Sequence, residues 1–383
     1  MVNWASISCS IYRGGTSKGI FIQGSDLPQN ETERFRTLLS IFGSPDPIQI
    51  DGLGGGTPTT SKLAIIDRSS RSDADVDYTF GQVSVERSFI DFKPNCGNIS
   101  SAVGPFALEH GLVSAQHDEE ALVRIFNTNT NTIIHARFAI ANGHFVPDGN
   151  TVISGVPGSG SAIYLDFFNA TGGVTGRVFP TGSVADTVVL SDGRVIRVTV
   201  IDAGNLMVLV DADDLGVSGT EIELPDPVGQ TLEEIRQRVG RQLGLYSSGE
   251  VVAASSHALP KIAWVQHPLD YQDVDGKKIS AETIGIVARV LTMGKLHMAY
   301  AVTGGIALTV AAHIPGTIPY GKVSARTQTD QLLRIGHPSG VLEVGADVAK
   351  DKFGHWTARR VTLVRTARPI MDGQVWVRGV SEM

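Results

Sequence analysis

Two short segments of this sequence are apolar on almost every side, and they limit what the chain can fold into. Residues 99–108 follow the polar turn Asn95-Cys96-Gly97-Asn98, and residues 305–312 follow Thr303-Gly304-Gly305. A helix without a polar face has to be surrounded by protein. Each segment therefore predicts a central helix that is enclosed by other elements of the chain.

The elements around these two helices are expected to be mostly strands. Short alternating or β-branched stretches, separated by glycine, asparagine and aspartate, occur at 7–12, 19–22, 62–66, 76–83, 89–92, 121–126 and 132–138. Three amphipathic helices are predicted at 30–42, 231–245 and 280–293, the second with a Thr231…Glu234 capping box. Pro105 is expected to kink the first apolar helix or to end its first segment. This mixture favours the α+β class over an alternating parallel sheet.

The order of the elements repeats along the chain. A strand–glycine turn–strand unit opens each half, at 7–22 and at 197–212, and an apolar helix follows each unit after a roughly similar distance. A chain of 383 residues is also too long for one ordinary core. We therefore predict two similar domains, 1–182 and 183–369, each with strands around a central helix. The Gly/Ser/Thr-rich stretch 149–183 is either a linker or a lining of the cleft between the domains.

Composition excludes several classes of protein. The formal net charge is −7, which argues against a nucleic-acid-binding surface. The two cysteines, Cys9 and Cys96, form no disulfide framework and indicate a reducing compartment, so we expect a cytoplasmic protein. No signal-peptide pattern and no membrane-spanning apolar run is visible, so no membrane partner is expected. The sequence leaves open whether the chain forms a homo-oligomer.

Cys96 is the first candidate for chemistry. A free cysteine is commonly a small buried apolar residue. A thiol directly before a helix, however, lies at the positive end of the helix dipole, which stabilises a thiolate and suits proton transfer. The amide groups of Gly97 and Asn98 would be free to bind a carboxylate. Packing and catalysis both remain open for this thiol.

Lys62 follows a glycine-rich loop and is the second candidate. The stretch 50–67 fails the P-loop pattern, because no glycine directly precedes Lys62 and Leu63 stands where Ser or Thr would bind magnesium. It also lacks the glycine order of a dinucleotide-binding turn. A lysine at the start of an apolar strand is either a solvated charge or a partly buried base.

Two glycine turns supply the remaining candidates. In the turn at 11–19, Arg13 or Lys18 is suited to meet a carboxylate and Ser17 to hydrogen-bond a substrate, unless this is simply a solvated hairpin. In the turn at 336–340, the Ser339 hydroxyl and the backbone amides of the turn would form an anion nest, unless this is simply a tight turn. The ten histidines are scattered without ligand spacing, so no metal site is predicted.

Seven motifs occur in an order that resembles one known family. They are RGGTSKG (13–19), GLGGGTPTTSKLAII (52–66), NCGNISSAVGPFALEHGLV (95–113), GVPGSGSA…TGRVFPTG (155–182), DAGNLMVLVDA (202–212), TGGIALTVAAHIPGT (303–317) and IGHPSG (335–340). Together they resemble the PrpF family, which includes the 2-methylaconitate cis-trans isomerases, over essentially the whole chain. The resemblance implies the diaminopimelate-epimerase-like fold: two pseudo-equivalent domains with the active site in the cleft between them. It also implies that a last strand at 374–379 returns to the first domain, so that 370–383 joins it.

The resemblance further implies an isomerase that needs no cofactor and acts on a small unsaturated polycarboxylate. In this family Lys62 and Cys96 are the expected proton-transfer pair. The expected contacts to substrate carboxylates come from both halves of the chain: Ser17, Gly97, Asn98, Thr303, Gly304 and Gly305. Three alternatives remain: a 4-oxalomesaconate-type tautomerase, a non-catalytic carboxylate-binding protein, and an amino-acid racemase or epimerase of the same fold. The last would use a second cysteine, but the second helix opens with Thr303-Gly304-Gly305 instead.

Overall fold

The chain divides into two compact units in the computed structural model. The model describes residues 4–115, 117–168, 170–246, 259–292, 294–325 and 331–378. Unit 1 comprises Met1–Leu165 together with Arg365–Met383, and unit 2 comprises Asp166–Val364. Of the helices in the described ranges, none combines the length and the apolar character needed to cross a bilayer.

The described part of unit 1 contains two α-helices, a short 3₁₀ helix at Gly24–Asp26 and many strands. Its elements are β1 (Trp4–Gly14), β2 (Ser17–Gln23), α1 (Glu31–Phe42), β3 (Lys62–Arg68), β4 (Val76–Val83), β5 (Ile90–Asp91), α2 (Gly97–Glu109), β6 (Glu120–Asn127), β7 (Thr132–Ala141) and β8 (His144–Phe145). The strand β9 (Ile163–Phe168) spans the boundary with unit 2. Each predicted strand is present. Five are longer than the patterns indicated, the strand at 76–83 matches, and the one at 89–92 is reduced to Ile90–Asp91.

Unit 2 has the remaining elements. They are β10 (Asp186–Val189), β11 (Val195–Ala203), β12 (Asn205–Asp211), α3 (Ala212–Leu215), α4 (Asp226–Gln242), β13 (Lys261–Gln266), β14 (Tyr271–Gln272), β15 (Lys278–Ile279), β16 (Ile286–Thr292), β17 (Lys295–Leu296), α5 (Val302–Ala312), α6 (Ile318–Lys322), β18 (Leu332–His337), β19 (Gly340–Lys350) and β20 (Trp356–Arg365). The last strand of the chain, β21 (Ala367–Arg378), belongs to unit 1, where it pairs antiparallel with β1. Gly379, the last residue of the predicted strand 374–379, lies outside the described residues.

The two units repeat one order of strand pairing. In unit 1, β1 is antiparallel to β2, β2 parallel to β3, β3 antiparallel to β4, β4 parallel to β6, and β6 antiparallel to β7. In unit 2, the strands β11, β12, β13, β16, β18 and β19 pair in the same alternation of antiparallel and parallel neighbours. The predicted duplication is therefore confirmed at the level of topology, with strands around one central helix in each unit.

Each central helix is buried because its sequence offers no polar face. In α2 every residue from Gly97 to Leu108 is buried, and the helix packs against β1, β2, β3, β6, β7, β8 and β21. In α5 every residue is buried, against β11, β12, β18, β19 and α6. Of the two outcomes expected at Pro105, the end of a helical segment is wrong, because α2 continues through it to Glu109, and a kink stays a prediction.

The predicted helix at 280–293 is wrong. The structure has a short 3₁₀ turn at Ala281–Thr283 and then β16, whose residues are almost all buried. Successive side chains of this strand are buried, so both of its faces are covered and its sequence shows no alternation. A fully buried strand cannot be told from a buried helix by apolar pattern alone. Met293 lies outside the described residues.

The helix predicted at 231–245 begins earlier than expected. Helix α4 starts at Asp226 after Pro225, so Thr231 lies inside it rather than at its N-cap. The Thr231 hydroxyl donates to the backbone oxygen of Pro227 (3.0 Å), and the predicted capping box does not form. The prediction at 30–42 is confirmed: α1 has Asn30 as N-cap, whose side chain accepts from the Glu33 amide.

Candidate active site

Lys62 is the first residue of β3 and lies in the sheet of unit 1. Its parallel partner on β2 is Gly19, where a Cβ would come within 2.9 Å of Cδ1 of Ile99 on α2, so this pair faces α2. The lysine is only 7% exposed. Its Nζ donates to Oε1 of Gln82 (2.9 Å) and lies 5.3 Å from the centroid of the Phe80 ring. The sequence thus placed Lys62 correctly at the start of a strand, and the structure buries it.

Gln82 was missed by the sequence analysis and is the residue that orients Lys62. It faces Lys62 in the antiparallel register of β3 and β4. Its amide nitrogen donates to the backbone oxygens of Pro58 and Ser61, both at 3.1 Å, which turns its oxygen towards the lysine. Within the described ranges no carboxylate forms an ion pair with Lys62. The lysine therefore has a neutral acceptor and an aromatic face beside it, and it keeps hydrogen-bonding capacity for a ligand.

Cys96 is the N-cap of α2. The helix begins at Gly97, two residues earlier than predicted, so Gly97 and Asn98 belong to its first turn. The Cys96 carbonyl accepts from the amide and the hydroxyl of Ser100, both at 3.0 Å, while the thiol makes no capping hydrogen bond. The first amide groups of a helix have no acceptor within it. The thiol and these donors thus stand together at one helix end.

A glycine turn lies directly against this helix end. A Cβ on Gly14 would come within 2.5 Å of the Asn98 carbonyl oxygen, and one on Gly15 within 2.1 Å of Oδ1 of Asn98. Only residues without a side chain allow this approach, and Gly15 also has a positive φ of 51°. The side-chain amide of Asn98 donates to the Thr16 hydroxyl (3.0 Å), which fixes the turn to the helix.

Ser17 is the polar group of this turn that has no partner. It is 3% exposed, and its hydroxyl has no hydrogen-bond partner among the described residues. Ser17 is paired with Gly14 across the hairpin, and Gly14 faces α2. Gly19, two residues further along β2, is paired with Lys62 on β3. Because paired residues, and residues two apart on a strand, share a face, Ser17 and Lys62 both lie on the face that α2 covers. A buried hydroxyl without a partner costs free energy unless a ligand or water satisfies it.

Arg13 and Lys18 lie on the other face of the hairpin. They are paired with each other, one position away from the Gly14–Ser17 pair, and side chains alternate between faces. Arg13 braces the turn by donating to the backbone oxygens of Gly15 (3.0 Å) and Thr366 (2.9 Å). Burial, and the like charge of Arg368 opposite, lower the pKa of Arg13. Both residues are thereby separated from the face that carries Ser17 and Lys62.

An asparagine network, which the sequence analysis also missed, holds the loop before α2. The Cys96 amide donates to Oδ1 of Asn95 (2.6 Å), and the side chain of Asn127 donates to the same oxygen (3.2 Å). Asn129 donates to the backbone oxygens of Phe80 and Phe92, at 2.9 and 2.6 Å. The only signal in the sequence is the run FNTNTNT at 126–132, directly after a predicted strand. These bonds fix the position of Cys96 relative to β4.

Tyr78 is buried close to Cys96. Burial and, to a lesser extent, the negative charge of a Cys96 thiolate raise the pKa of the phenol well above its ordinary value. The phenol therefore remains neutral at physiological pH. It is a neighbour of Cys96 and not a second base.

Helix α5 gives unit 2 a similar helix end without a thiol. Its N-cap is Ala301, so Thr303, Gly304 and Gly305 lie inside the helix. The sequence had predicted a turn before the helix at these residues. The Gly305 amide donates to the Ala301 carbonyl (2.8 Å), as the Ser100 amide does to Cys96. Ala301 thus caps α5 as Cys96 caps α2, and Thr303 in the first turn of α5 accepts a hydrogen bond from the side chain of Asn205 on β12 (3.3 Å).

Ser339 is committed to a turn in unit 2. Its hydroxyl donates to the backbone oxygen of Met298, and its amide donates to Nδ1 of His337 (3.2 Å). The turn joins β18 and β19. The Ser339 hydroxyl is thus bonded within its surroundings, and an anion nest at this turn stays a prediction.

Comparison with known proteins assigns this chain to a family. The sequence matches the family described as PrpF protein over residues 4–378. The chain belongs to the PrpF family. Among its PrpF relatives, the 3-methylitaconate isomerase of Eubacterium barkeri is 42% identical over 378 residues, 97% of each chain. The 2-methyl-aconitate isomerase of Cupriavidus necator is 37% identical over 388 residues, 97% of this chain and 96% of that protein. The 4-oxalomesaconate tautomerase of Pseudomonas putida is 38% identical over 375 residues, with the same coverage of 97% and 96%.

Solved structures agree with the predicted fold class. The crystal structure of methylitaconate-delta-isomerase has a TM-score of 0.80 and 41% identity, covering 98% of this chain and 96% of that one. A hydroxyproline epimerase from Agrobacterium vitis has a TM-score of 0.56 and 14% identity, covering 97% and 93%, and shares the fold. The predicted diaminopimelate-epimerase-like α+β fold, the PrpF resemblance and the isomerase class are confirmed for this PrpF chain.

Proposed function

We propose that this PrpF chain shifts a proton along an unsaturated di- or tricarboxylate, of the aconitate, 2-methylaconitate or methylitaconate type, without a cofactor. The observation that carries the proposal is the shared face of unit 1. Buried Lys62, unpartnered Ser17 and the first turn of α2, which Cys96 caps, lie on that face. The named relatives act on compounds of this chemical class, or on their tautomers.

The proposed reaction is a 1,3-proton shift. Lys62 acts as the base: its amine removes a proton from a carbon next to a carboxylate, and the electron pair of the C–H bond delocalises into a dienolate. The Cys96 thiol donates its proton to the far carbon of the allyl unit, where a new C–H bond forms. The lysine proton then returns to the thiolate, directly or through water. Ser17 and the amides of Gly97 and Asn98 stabilise the carboxylate charge that grows in the dienolate.

Rotation within the delocalised intermediate gives the cis-trans outcome from the same residues. If the proton returns to its original carbon after rotation about the weakened double bond, the geometric isomer forms. If it returns to the other end of the allyl unit, the double bond migrates. The racemase alternative lacks support, because the first turn of α5 has Thr303, Gly304 and Gly305 where a second cysteine would be expected.

Proton NMR in D₂O tests the activity. The protein is incubated with cis-aconitate, trans-aconitate, 2-methylaconitate, methylitaconate and 4-oxalomesaconate in separate samples. We expect at least one compound to isomerise with incorporation of solvent deuterium. If no compound changes, the proposed activity is wrong, and binding without deuterium exchange would support a carboxylate-binding protein instead.

Substitutions test the assigned residues. General acid–base groups contribute roughly 10²- to 10⁴-fold to a rate, so Lys62→Met and Cys96→Ser should each lower kcat by about that factor with unchanged circular dichroism. The matched control is Lys18→Met, because Lys18 lies one residue from Ser17 on the opposite face of the hairpin. Its kcat should stay within a few-fold of wild type. Near-normal turnover in both site variants would refute the assignment while leaving the activity itself established.

We also propose a cytoplasmic location and a small-molecule polycarboxylate as the partner. Both cysteines are free and buried in the structure, which suits a reducing compartment. Reactivity of the two thiols in cells lysed directly into denaturant, before any reductant is added, would check this. Recovery of either cysteine in a disulfide would contradict it.

A further inference from the structure

Lys62 belongs to a row of paired residues that crosses four strands of unit 1. On one side its partner is Gly19 on β2, and on the other side it is Gln82 on β4. Gln82 is paired in turn with Asp91 on β5. Paired residues project to the same face of a sheet, so the whole row faces α2. Gln82 and Asp91 are buried, at 6% and 2% exposure, and the neutral amide of Gln82 stands between the lysine and a buried carboxyl group.

The backbone fixes which end of the Gln82 carboxamide meets the lysine. The amide nitrogen of a glutamine carries two hydrogens. In Gln82 both have backbone acceptors, the carbonyl oxygens of Pro58 and Ser61, at 3.1 Å each. The opposite orientation would turn the amide oxygen against these two carbonyl oxygens and the amide hydrogens against the lysine. Only Oε1 is left to meet Nζ of Lys62, at 2.9 Å.

An acceptor in this place suits a lysine that works as a base. A neutral amine has two hydrogens and one lone pair. Gln82 accepts an N–H from Lys62 and has no hydrogen left to donate, so the lone pair of the amine stays unused by this neighbour. The amide is also uncharged, whereas a carboxylate in its place would favour the ammonium form, which has no lone pair.

We propose that Gln82 is a positioning residue of the isomerase: it holds the Lys62 amine with its lone pair free for the substrate and, being uncharged, lets the amine lose its proton. The inference rests on the proposed function, in which Lys62 is the base. Gln82 acts through the lysine and transfers no proton itself, because both of its N–H groups are bound to backbone oxygens.

The titratable groups around Lys62 come from the strands and the helix that pack against it. Among the described residues, Asp91 lies beyond Gln82 in the same row, and Cys96 caps α2. Tyr78 lies four residues before Gln82 on β4 and shares its face, but burial raises the pKa of this phenol and keeps it neutral. Substitution of Gln82 leaves all three groups in place.

Gln82→Glu tests the role of the neutral amide. The new carboxylate should pair with the Lys62 ammonium and keep it charged to higher pH, because an opposite charge this close shifts an ionisation by about 1–3 pH units. The value of kcat at pH 7 should fall by about 10- to 1000-fold and recover as the pH rises. The pH optimum of kcat/KM should move up by about 0.5–1.5 units, because one limb of the profile shifts and the other does not.

Gln82→Met separates the charge from the loss of the two backbone hydrogen bonds. Methionine has a similar length, lacks both the acceptor and the donors, and adds no charge. We expect kcat to fall about 10- to 100-fold through misplacement of the amine, with KM within a few-fold of wild type and the pH optimum unchanged. Gln374→Glu, at an exposed glutamine of β21, is the matched control for the added charge and should behave as wild type.

NMR of protein labelled with ¹⁵N-lysine follows the amine without any substrate, and Lys62→Met assigns its signal. In Gln82→Glu the amine should lose its proton about 1–3 pH units higher than in wild type. An unchanged titration there, or a kcat within two-fold of wild type in Gln82→Met, would overturn the inference while the isomerase activity stands. Circular dichroism checks folding, and if Gln82→Glu does not fold, the kcat of Gln82→Met decides.

The NMR titration also keeps the two proposals apart. If wild type isomerises none of the five compounds, the proposed function fails. The titration of Lys62 in wild type and in Gln82→Glu then still decides whether the neutral amide sets the protonation of the lysine.

Discussion

At the scale of single residues, the two cysteines have different surroundings. Cys9 lies inside β1 at 3% exposure and belongs to the core cluster with Ile7, Ile20 and Ile22. Burial, and then the charge of Asp372, raise the pKa of Cys9 to about 11. Cys96 instead stands at a helix end that is proposed to receive substrate. The same residue type is thus a packing group in one place and a candidate acid in the other.

This difference predicts selective labelling of the thiols. With a pKa of about 11, about one Cys9 side chain in a thousand is a thiolate at pH 8, and only the thiolate reacts with a disulfide reagent. We expect the native protein to release about one equivalent of thionitrobenzoate quickly and the second only on unfolding. Because the fast equivalent is assigned to Cys96, Cys96→Ser should abolish it. A Cys96→Ser protein that reacts as fast as wild type would contradict the prediction.

At the scale of elements, the position of the hairpin on α2 depends on close backbone contact. The Gly14 backbone lies so close to α2 that a Cβ on it would come within 2.5 Å of the Asn98 carbonyl oxygen. The side chains of Asn98 and Thr16 are hydrogen-bonded across this contact. A similar close approach occurs in unit 2, where a Cβ on Gly204 would lie 2.8 Å from Ile306 of α5. Glycine is needed at these places because the neighbours are a backbone and a buried branched side chain.

Gly14→Ala should displace the turn from the helix end. Its Cβ would lie 2.5 Å from a backbone oxygen, which cannot rotate away, and overpacking of this kind costs about 1–3 kcal/mol of unfolding free energy. Because Ser17 moves with the turn, kcat/KM should also fall. Gly321→Ala in α6 is the control, since nothing lies within 4 Å of its Cβ position. Urea unfolding and steady-state kinetics measure both effects, and equal stability of the two variants would refute the argument.

At the scale of the whole molecule, both ends of the chain build unit 1. Strand β21 pairs with β1 from Trp4↔Arg378 to Gly14↔Ala367, so β1 has β2 on one side and β21 on the other. Val377 joins the core cluster that contains Ile7 and Cys9. Unit 2, by contrast, is one continuous stretch, Asp166–Val364. Unit 1 therefore cannot be completed until the last residues are present.

A chain that ends at Val364 should lose the fold of unit 1 and retain that of unit 2. Without β21, the strand β1 becomes an unpaired edge and buried side chains are exposed. Hydrogen exchange should show loss of amide protection in β1, β2 and α2, with protection preserved in β12, β13 and α5. Isomerase activity should disappear, because Lys62 and Cys96 are in unit 1. Native protection of α2 in the shortened chain would contradict this account.

The sequence by itself determined the local elements and the family. Strong local patterns, such as the apolar runs in α2 and α5 and the Asn30 cap of α1, specify helices because neighbours along the chain decide them. Seven ordered motifs, including those around Lys62 and Cys96, indicated the PrpF fold. Local pattern failed at β16, where burial on both faces erases the alternation that distinguishes a strand.

Only the tertiary structure decided which side chains share a face. Strand register brings Gln82 to Lys62 across 20 residues of sequence, and it separates Arg13 and Lys18 from Ser17 although they are close neighbours in the chain. The physical reason is that register is fixed by hydrogen bonds between distant strands, and a shift of one residue turns every side chain to the opposite face.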